Sequence, residues 1–429
     1  MYGVGSGGVT FKVDAGHTET FTSNYGGLIY VTGTASNPIE FKKEGTGANP
    51  LITAAKGLGS TDGIIIISGG DYITFDGIDV IENVLNASSV DCMEFGFLLA
   101  KANETNGPKN ITIKNLSITL NNTYFTAVSG IYNSNINKDG QNITVTSNAG
   151  KTEDILIQNT SISNVTYGVY VNGNNFTYRE NNILIKNNTI NNFETAGIYA
   201  YYSDNTNIVG NTIENGVSNS YLTGMYNGWG TNYIVEKNTI TNLASSATSG
   251  SHIVKGIQGD YSMSSTIIKN NIISNLTAPN ATNIDAIDGI YTYGDNECYN
   301  NTVFLYCASG GIGFGSNAFY VSYTSAFSTK LRNNIFINAS TYGRAVAYNR
   351  NGTTLSTYLS PSDYNLFYAG TPSANNLIFY DGTNSDQTLG DYKTRVATRD
   401  QNSYTGMVNF ITGDSLRPIV ADYKNGTTI

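Results

Sequence analysis

Residues able to do acid–base or metal chemistry crowd into one stretch of the sequence. Asp285, Asp288, Asp295 and Glu297 lie close together, Asp260 precedes them, and Lys255 and Lys269 stand alongside. A lysine beside them can serve as a base. Asp260, Asp285, Asp295 and Glu297 are the candidate metal ligands, and Asp260, Asp288, Asp295 and Lys255 the candidate catalytic groups, in roles that the family resemblance of the coil pattern implies. The competing expectation is that they are ordinary loop carboxylates of an acidic protein. His17 and His252 lie far apart and read as surface or turn residues. Cys92, Cys298 and Cys307 lack zinc-ligand spacing and read as small buried hydrophobes, with a Cys298–Cys307 bridge left open.

A second candidate is aromatic. Short segments led by glycine recur, among them Gly130-Ile131-Tyr132, Gly168-Val169-Tyr170, Gly197-Ile198-Tyr199, Gly224-Met225-Tyr226 and Gly289-Ile290-Tyr291. In a strand the residue after glycine points inward and the next points outward. Tyr132, Tyr170, Tyr199, Tyr226 and Tyr291 then form one exposed column, interrupted by Gln258 and continued beside it by Tyr201 and Tyr293, with Trp229 just beyond. Such a face can stack on sugars, bury against another protein or pack on itself.

The elements that must position these residues follow from composition and repetition. Of 429 residues only 13% are charged, against 40% hydrophobic, and the formal net charge is −9. No apolar run approaches the roughly 20 residues of a membrane span. An acidic chain without clustered Lys and Arg is no nucleic-acid binder. With 31 Tyr and 17 Phe it carries too much apolar surface for disorder.

NITIKNLSI, DILIQNTSI, NILIKNNTI and STIIKNNII repeat one pattern. Its last apolar residue recurs at Val80, Ile118, Ile162, Ile190, Ile213, Ile240, Ile273, Val303, Phe336 and Phe367. Around these anchors apolar and polar residues alternate, which is strand period. Variable spacing between fixed anchors means variable loops on a constant scaffold. Two or three short strands per repeat, with no helix of useful length, describe a parallel β-helix whose coils stack about 4.8 Å apart.

Asparagine forms two columns. Asn188, Asn211, Asn238, Asn271, Asn301, Asn334 and Asn365 stand two residues before the anchor, and Asn164, Asn192, Asn215, Asn242, Asn275 and Asn338 two after it. Asn tolerates left-handed turns, and its amide can bond to the Asn above and below. The polar content is thus mostly architectural. Of the N-x-S/T matches, those in loops, such as Asn86, Asn103 and Asn280, are the better glycan acceptors.

With VTGTASNPIEFKK (31–43) and TRDQNSYTGMVNFITGDSLRP (398–418), this coil pattern resembles the secreted right-handed parallel β-helix domains of the pectate-lyase-like superfold, in particular those of large microbial cell-surface and adhesin-like proteins. The resemblance implies an all-β right-handed solenoid of about ten or more coils. It implies little about activity, because that superfold hosts lyases, hydrolases, epimerases, tailspikes and adhesins alike. Its hydrolases carry Asn-Thr-Asp, Asp-Asp, Gly-His-Gly and Arg-Ile-Lys on successive coils. Here Ile287-Asp288-Gly289-Ile290 has no Asp-Asp partner, and His252 sits in Ser251-His252-Ile253 without flanking glycines. Its lyases use calcium and an Arg or Lys base beside a uronate carboxyl, a role Lys255 or Lys269 would fill.

Three regions are expected: 1–60 as N-terminal cap and first coils, 61–370 as regular β-helix, and 371–429 as C-terminal coil and cap, where Arg395, Arg399 and Arg417 gather. Excursions at 83–95, 121–129, 133–152, 244–255 and 277–288 are where a site belongs. The resulting expectation is a non-catalytic, extracellular, cell-surface structural or adhesive module, with self-assembly into oligomers or filaments as one of its expected behaviours. The alternative is a polysaccharide lyase, glycoside hydrolase or glycan-binding module. Calcium is the one cofactor in view, and no nucleic acid or membrane insertion is expected.

Overall fold

The computed structural model describes residues 4–59, 61–124, 127–262, 264–308 and 310–408. The chain is an all-β parallel solenoid of about 12 turns. It divides into two compact units, one running to Ile213 and including Asn227–Tyr233, the other comprising Glu214–Tyr226 and the chain from Ile234.

Each coil carries up to three strands separated by turns. In the first unit one face is a parallel ladder of Val9–Asp14, Ile39–Glu44, Asp71–Asp76, Lys109–Lys114, Glu153–Gln158, Glu180–Lys186 and Ser203–Val209. In the second unit Ile234–Glu236, Thr266–Lys269, Asn296–Tyr299 and Thr329–Arg332 build the corresponding parallel ladder. The anchors lie on a second face, with Ile118 paired to Val80 and to Ile162, and Ile273 paired to Ile240 and to Val303. The glycine-led strands make the third face.

The alternation read from the sequence sets what is inside. Ile111, Ile113, Ile118 and Ile131 are at most 1% exposed, and burying each side chain stabilises by about 1.5–3 kcal/mol relative to leaving it in water. Glycine opens the third-face strand because the chain is crowded there. A Cβ on Gly289 would lie 2.3 Å from Val303 Cγ1 and 2.5 Å from the Ala318 carbonyl oxygen.

The first asparagine column is a buried ladder. In the second unit Asn238, Asn271, Asn301 and Asn334 each pass Nδ2 to the Oδ1 of the next, ending at Asn365, at 2.9–3.0 Å, and in the first unit Asn188 does so to Asn211. These residues do not take the left-handed turn expected of them. The residue before does: Asn187, Asn270, Asn300 and Asn333 have φ near +55°, which swings the next side chain into the turn interior. In the second column the left-handed expectation fits Asn164, Asn192, Asn215, Asn242 and Asn275, but not Asn338, whose buried amide bonds to the Ser316 and Val346 carbonyls.

Other expectations are also corrected. Asn86 is buried, its Nδ2 bonded to the Ala55 carbonyl and Glu82, so its loop sequon is no open acceptor. Cys298 and Cys307 are free thiols, both pushed up by burial, Cys307 to about 11. Cys307 Sγ donates to the Leu276 carbonyl and Cys298 Sγ faces Asn296, so no bridge forms. A short helix the strand-period reading missed, Leu389–Val396, begins on Thr388, whose hydroxyl accepts from Asp391 N. Its Tyr392 packs on Phe367 and Phe379. Arg395 pairs with Asp386 and Arg399 donates to the Tyr358 carbonyl; Arg417 and the 409–418 part of the C-terminal motif lie outside the described residues.

Candidate functional site

In the second unit, Val254–Gly259, Ile287–Thr292, Gly315–Val321, Arg344–Arg350 and Asn376–Tyr380 line up side by side on the third face. Parallel register turns outward positions into columns. One runs Lys255, Asp288, Asn317; the other runs Gln258, Tyr291, Tyr320, Asn349, Tyr380.

The excursion 244–255 lays His252 across these columns. Its Nδ1 stands 2.6 Å from Asp288 Oδ2, and its ring lies against Tyr320 at 4.5 Å and Tyr291 at 4.9 Å. His252 has φ +55°, a strained setting for a residue with a β-carbon. Two bonds hold it there: its own N–H donates to the Asp285 carbonyl, and Lys255 Nζ donates to its carbonyl at 2.6 Å.

Asp288 is fully buried and its Oδ1 accepts from Asn317 Nδ2 at 2.9 Å. A carboxylate only accepts, so this contact favours the imidazole tautomer with its proton on Nδ1 and Nε2 as the open ring nitrogen. The His252 side chain keeps 19% exposure. Burial lowers the Lys255 pKa, opposed by Asp288 and Asp260. Burial pushes Tyr291 up to about 12 and raises Tyr320 as well, so both phenols are donors at neutral pH.

Asp285 completes the group. Its Oδ1 accepts from Arg344 Nη2 at 2.8 Å, Asn317 Nδ2 at 3.1 Å and Asn349 Nδ2 at 3.2 Å. The Arg344 guanidinium lies 4.2 Å from the Tyr380 ring centroid, and its buried Nε meets no acceptor among the described residues. Every carboxylate here is held by a protein donor.

Of the sequence candidates, Lys255, Asp285 and Asp288 come together, and Asp260 stands nearby, bonded to the Tyr226 hydroxyl at 2.9 Å. Asp295 and Glu297 go elsewhere: Asp295 binds Ser328, and Glu297 binds Lys330 and Tyr299. Lys269 pairs with Glu236. Among the described residues no three His, Cys, Asp or Glu side chains converge as a metal ion would require. Sequence reading missed His252, Arg344, Asn317 and Tyr320. For His252 the available signal was its place at the end of an excursion; Arg344 had none, being far from Asp285 in sequence.

The tyrosine column in the first unit is half-buried, because its rings lie on one another. Tyr132 stacks on Tyr170 at 4.8 Å and Tyr170 on Tyr199 at 4.9 Å, with Phe95 on Tyr132 at 4.3 Å. Tyr201 meets Tyr199 of that stack at 5.9 Å, tilted 33°, and Trp229 is tilted 56° to Tyr201. In the second unit Tyr291 stacks on Tyr320, and Tyr293 contacts Tyr323 and Phe327.

No protein-family model matches this chain, and no curated protein matches its sequence. Solved structures share its fold. A double mutant of the periplasmic alginate epimerase AlgG is 13% identical, with TM-score 0.50, over 90% of this chain and 78% of that one. The A-module of the mannuronan C-5 epimerase AlgE6 of Azotobacter vinelandii is 11% identical, with TM-score 0.39, over 93% and 90%. The tailspike of E. coli bacteriophage HK620 is 11% identical, with TM-score 0.37, over 93% and 72%. At such identity the likeness establishes the right-handed parallel β-helix and nothing of the chemistry.

Proposed function

We propose that the chain acts on an extracellular polysaccharide containing uronate, with His252 as the base that removes the proton beside the sugar carboxylate. The His252 Nδ1–Asp288 Oδ2 contact of 2.6 Å carries this reading. A scaffold alone has no use for a buried carboxylate that orients a part-exposed imidazole on a strained corner, which weighs against the purely adhesive role expected from the sequence.

The chemistry follows from which groups are engaged. Hydrolysis by paired carboxylates needs one as acid and one as base, yet Asp260, Asp285 and Asp288 are all held by protein donors. Proton abstraction needs a neutral imidazole and a cation for the charge that develops on the carboxylate. Arg344, paired with Asp285, is the cation. Lys255 is a positioning residue, because its ammonium is committed to the His252 carbonyl. Tyr291, protonated at neutral pH, is the group able to return a proton. Glycan-facing, extracellular placement goes with that substrate; no helix among the described residues is long and apolar enough to cross a membrane.

The test is proton exchange. Polymannuronate and polygalacturonate are incubated with the protein in D2O, and deuterium at the carbon beside the carboxylate is followed by NMR together with the absorbance of unsaturated uronate. Exchange or elimination that disappears in His252→Ala is the expected result. A protein that neither exchanges nor cleaves either polymer overturns the proposal.

A further inference from the structure

Lys101, Asn133, Thr152 and Glu180 of the first unit meet in its interior, each at most 2% exposed. Three successive passages from the third face to the first supply them. Lys101 follows the strand Phe95–Ala100, whose Leu99 pairs in register with Asn133, the last residue of Ser129–Asn133. Thr152 precedes Glu153–Gln158, and Glu180 opens Glu180–Lys186 one coil further on. Lys101 Nζ donates to Glu180 Oε1 at 2.7 Å and to Thr152 Oγ1 at 2.6 Å, and Asn133 Nδ2 donates to the same Thr152 oxygen at 2.8 Å. Amine and carboxamide therefore touch one shared atom.

The chemistry of these groups is complementary. Burial lowers the Lys101 pKa and raises that of Glu180, each opposed by the other's charge, which favours passage of a proton from the ammonium to the carboxylate. A neutral lysine amine is a nucleophile. The electrophile beside it is the carboxamide carbon of Asn133, whose Oδ1 meets no donor among the described residues. A buried acceptor left over in a cluster that is otherwise bonded calls for a cause. A protonated Glu180 brings an O–H donor into the cluster, and charge developing on a carboxamide oxygen under attack needs one. At this depth bulk water does not compete with the amine for the amide carbon.

We propose that Lys101 and Asn133 become joined by an amide bond between Lys101 Nζ and Asn133 Cγ, with Glu180 as the group that moves the protons. Glu180 takes a proton from the Lys101 ammonium, Nζ attacks Cγ, and the Cγ–Nδ2 bond breaks. A second proton passes from Nζ through Glu180 to the departing nitrogen, which leaves as ammonia, and Glu180 stays protonated. The exchange is redox-neutral and needs no other reactant. It fastens two neighbouring coils covalently and turns a buried ion pair into two neutral groups, which removes the cost of keeping charges out of water. It is independent of the polysaccharide reading.

Mass spectrometry tests it on the purified chain, first intact and then as a tryptic digest. The expected intact mass is below that of the sequence by one ammonia. The digest is expected to contain a branched peptide that joins the Lys101 and Asn133 segments, with no cleavage after Lys101. Glu180→Gln removes the proton carrier and leaves Lys101 an unlinked ammonium, whereas Asn133→Ala removes the electrophile and keeps the ion pair; both are expected at full mass. A wild-type chain at full mass, cleaved after Lys101, overturns the proposal whether or not either variant folds. Loss of ammonia without the branched peptide also overturns it. A branched peptide that persists in Glu180→Gln overturns the role of Glu180.

Discussion

Asn365 Nδ2 donates to Asp400 Oδ1 at 2.9 Å, and there the buried amide ladder of the second unit ends on a carboxylate. An amide ladder always leaves a donor over at its last rung. Asp400 takes it, and also accepts from Ser403 Oγ and from the hydroxyls of Tyr358 and Tyr392. The 389–396 helix is thereby bonded, through Tyr392, to the same carboxylate that closes the ladder.

The ladder is a stability element, and removing a rung tests it. Asn271→Ala strips the acceptor from Asn238 N and Nδ2 and the donor from the Val235 carbonyl. Each unsatisfied buried group costs about 1–3 kcal/mol, so urea denaturation is expected to show a loss of about 3–5 kcal/mol. Asn375→Ala, at an exposed position, is expected to change stability by less than about 0.5 kcal/mol.

Glu94 makes the fold sensitive to alkali. Burial pushes its pKa from 4.5 to about 8, with Asp62 and Glu82 adding to the rise and the Asp62 N–H opposing it. The folded chain therefore keeps a proton that the unfolded chain has released. Stability is fully present below about pH 4.5 and falls as pH rises through about 8, by about 1.4 kcal/mol per unit within that window. Glu82, also raised by burial, adds a slope of the same sign. Denaturation series across the window are expected to show this decline, and Glu94→Gln to flatten it by about one proton.

Lys101 and Glu180 form an ion pair with side chains at most 1% exposed, 2.7 Å apart, shared with Thr152. Burial lowers the lysine and raises the glutamate, each opposed by the other's charge. Breaking such a pair leaves one uncompensated charge and costs about 3–5 kcal/mol, whereas replacing both partners is often near neutral. Glu180→Gln is expected to destabilise by that amount, and Lys101→Met with Glu180→Leu by clearly less, in chemical denaturation.

Asp288→Asn tests the proposed base. The substitution preserves shape but presents an amide to His252 Nδ1, which favours the wrong tautomer. Proton exchange into uronan is expected to fall about 100-fold or more, while glycan affinity measured calorimetrically stays within about twofold. Equal losses in both would mean that Asp288 serves binding alone.

The sequence by itself determined the coil. Each turn solves the same local problem, so its solution is written again at each repeat: an inward isoleucine at the anchor, a glycine where Val303 and Ala318 crowd the chain, an asparagine whose amide needs a neighbour above and below. Strand period and anchor spacing were enough to read the fold, and the parallel register then follows from stacking like on like. What the repeat did not reveal was which asparagine takes the left-handed turn, because both neighbours are often Asn and only the backbone distinguishes them.

The site lay beyond that reading for the converse reason. His252 and Asp288 meet because an excursion of one coil folds over the strand of the next, and Arg344 reaches Asp285 two coils away. Coil stacking turns residues distant in sequence into neighbours about 5 Å apart, and loop length, which no period constrains, decides which side chains arrive. Asp288 and Lys255 were visible as charges on a strand. Only the tertiary structure decided that one orients an imidazole and the other braces it, because hydrogen bonds across coils depend on where each excursion returns.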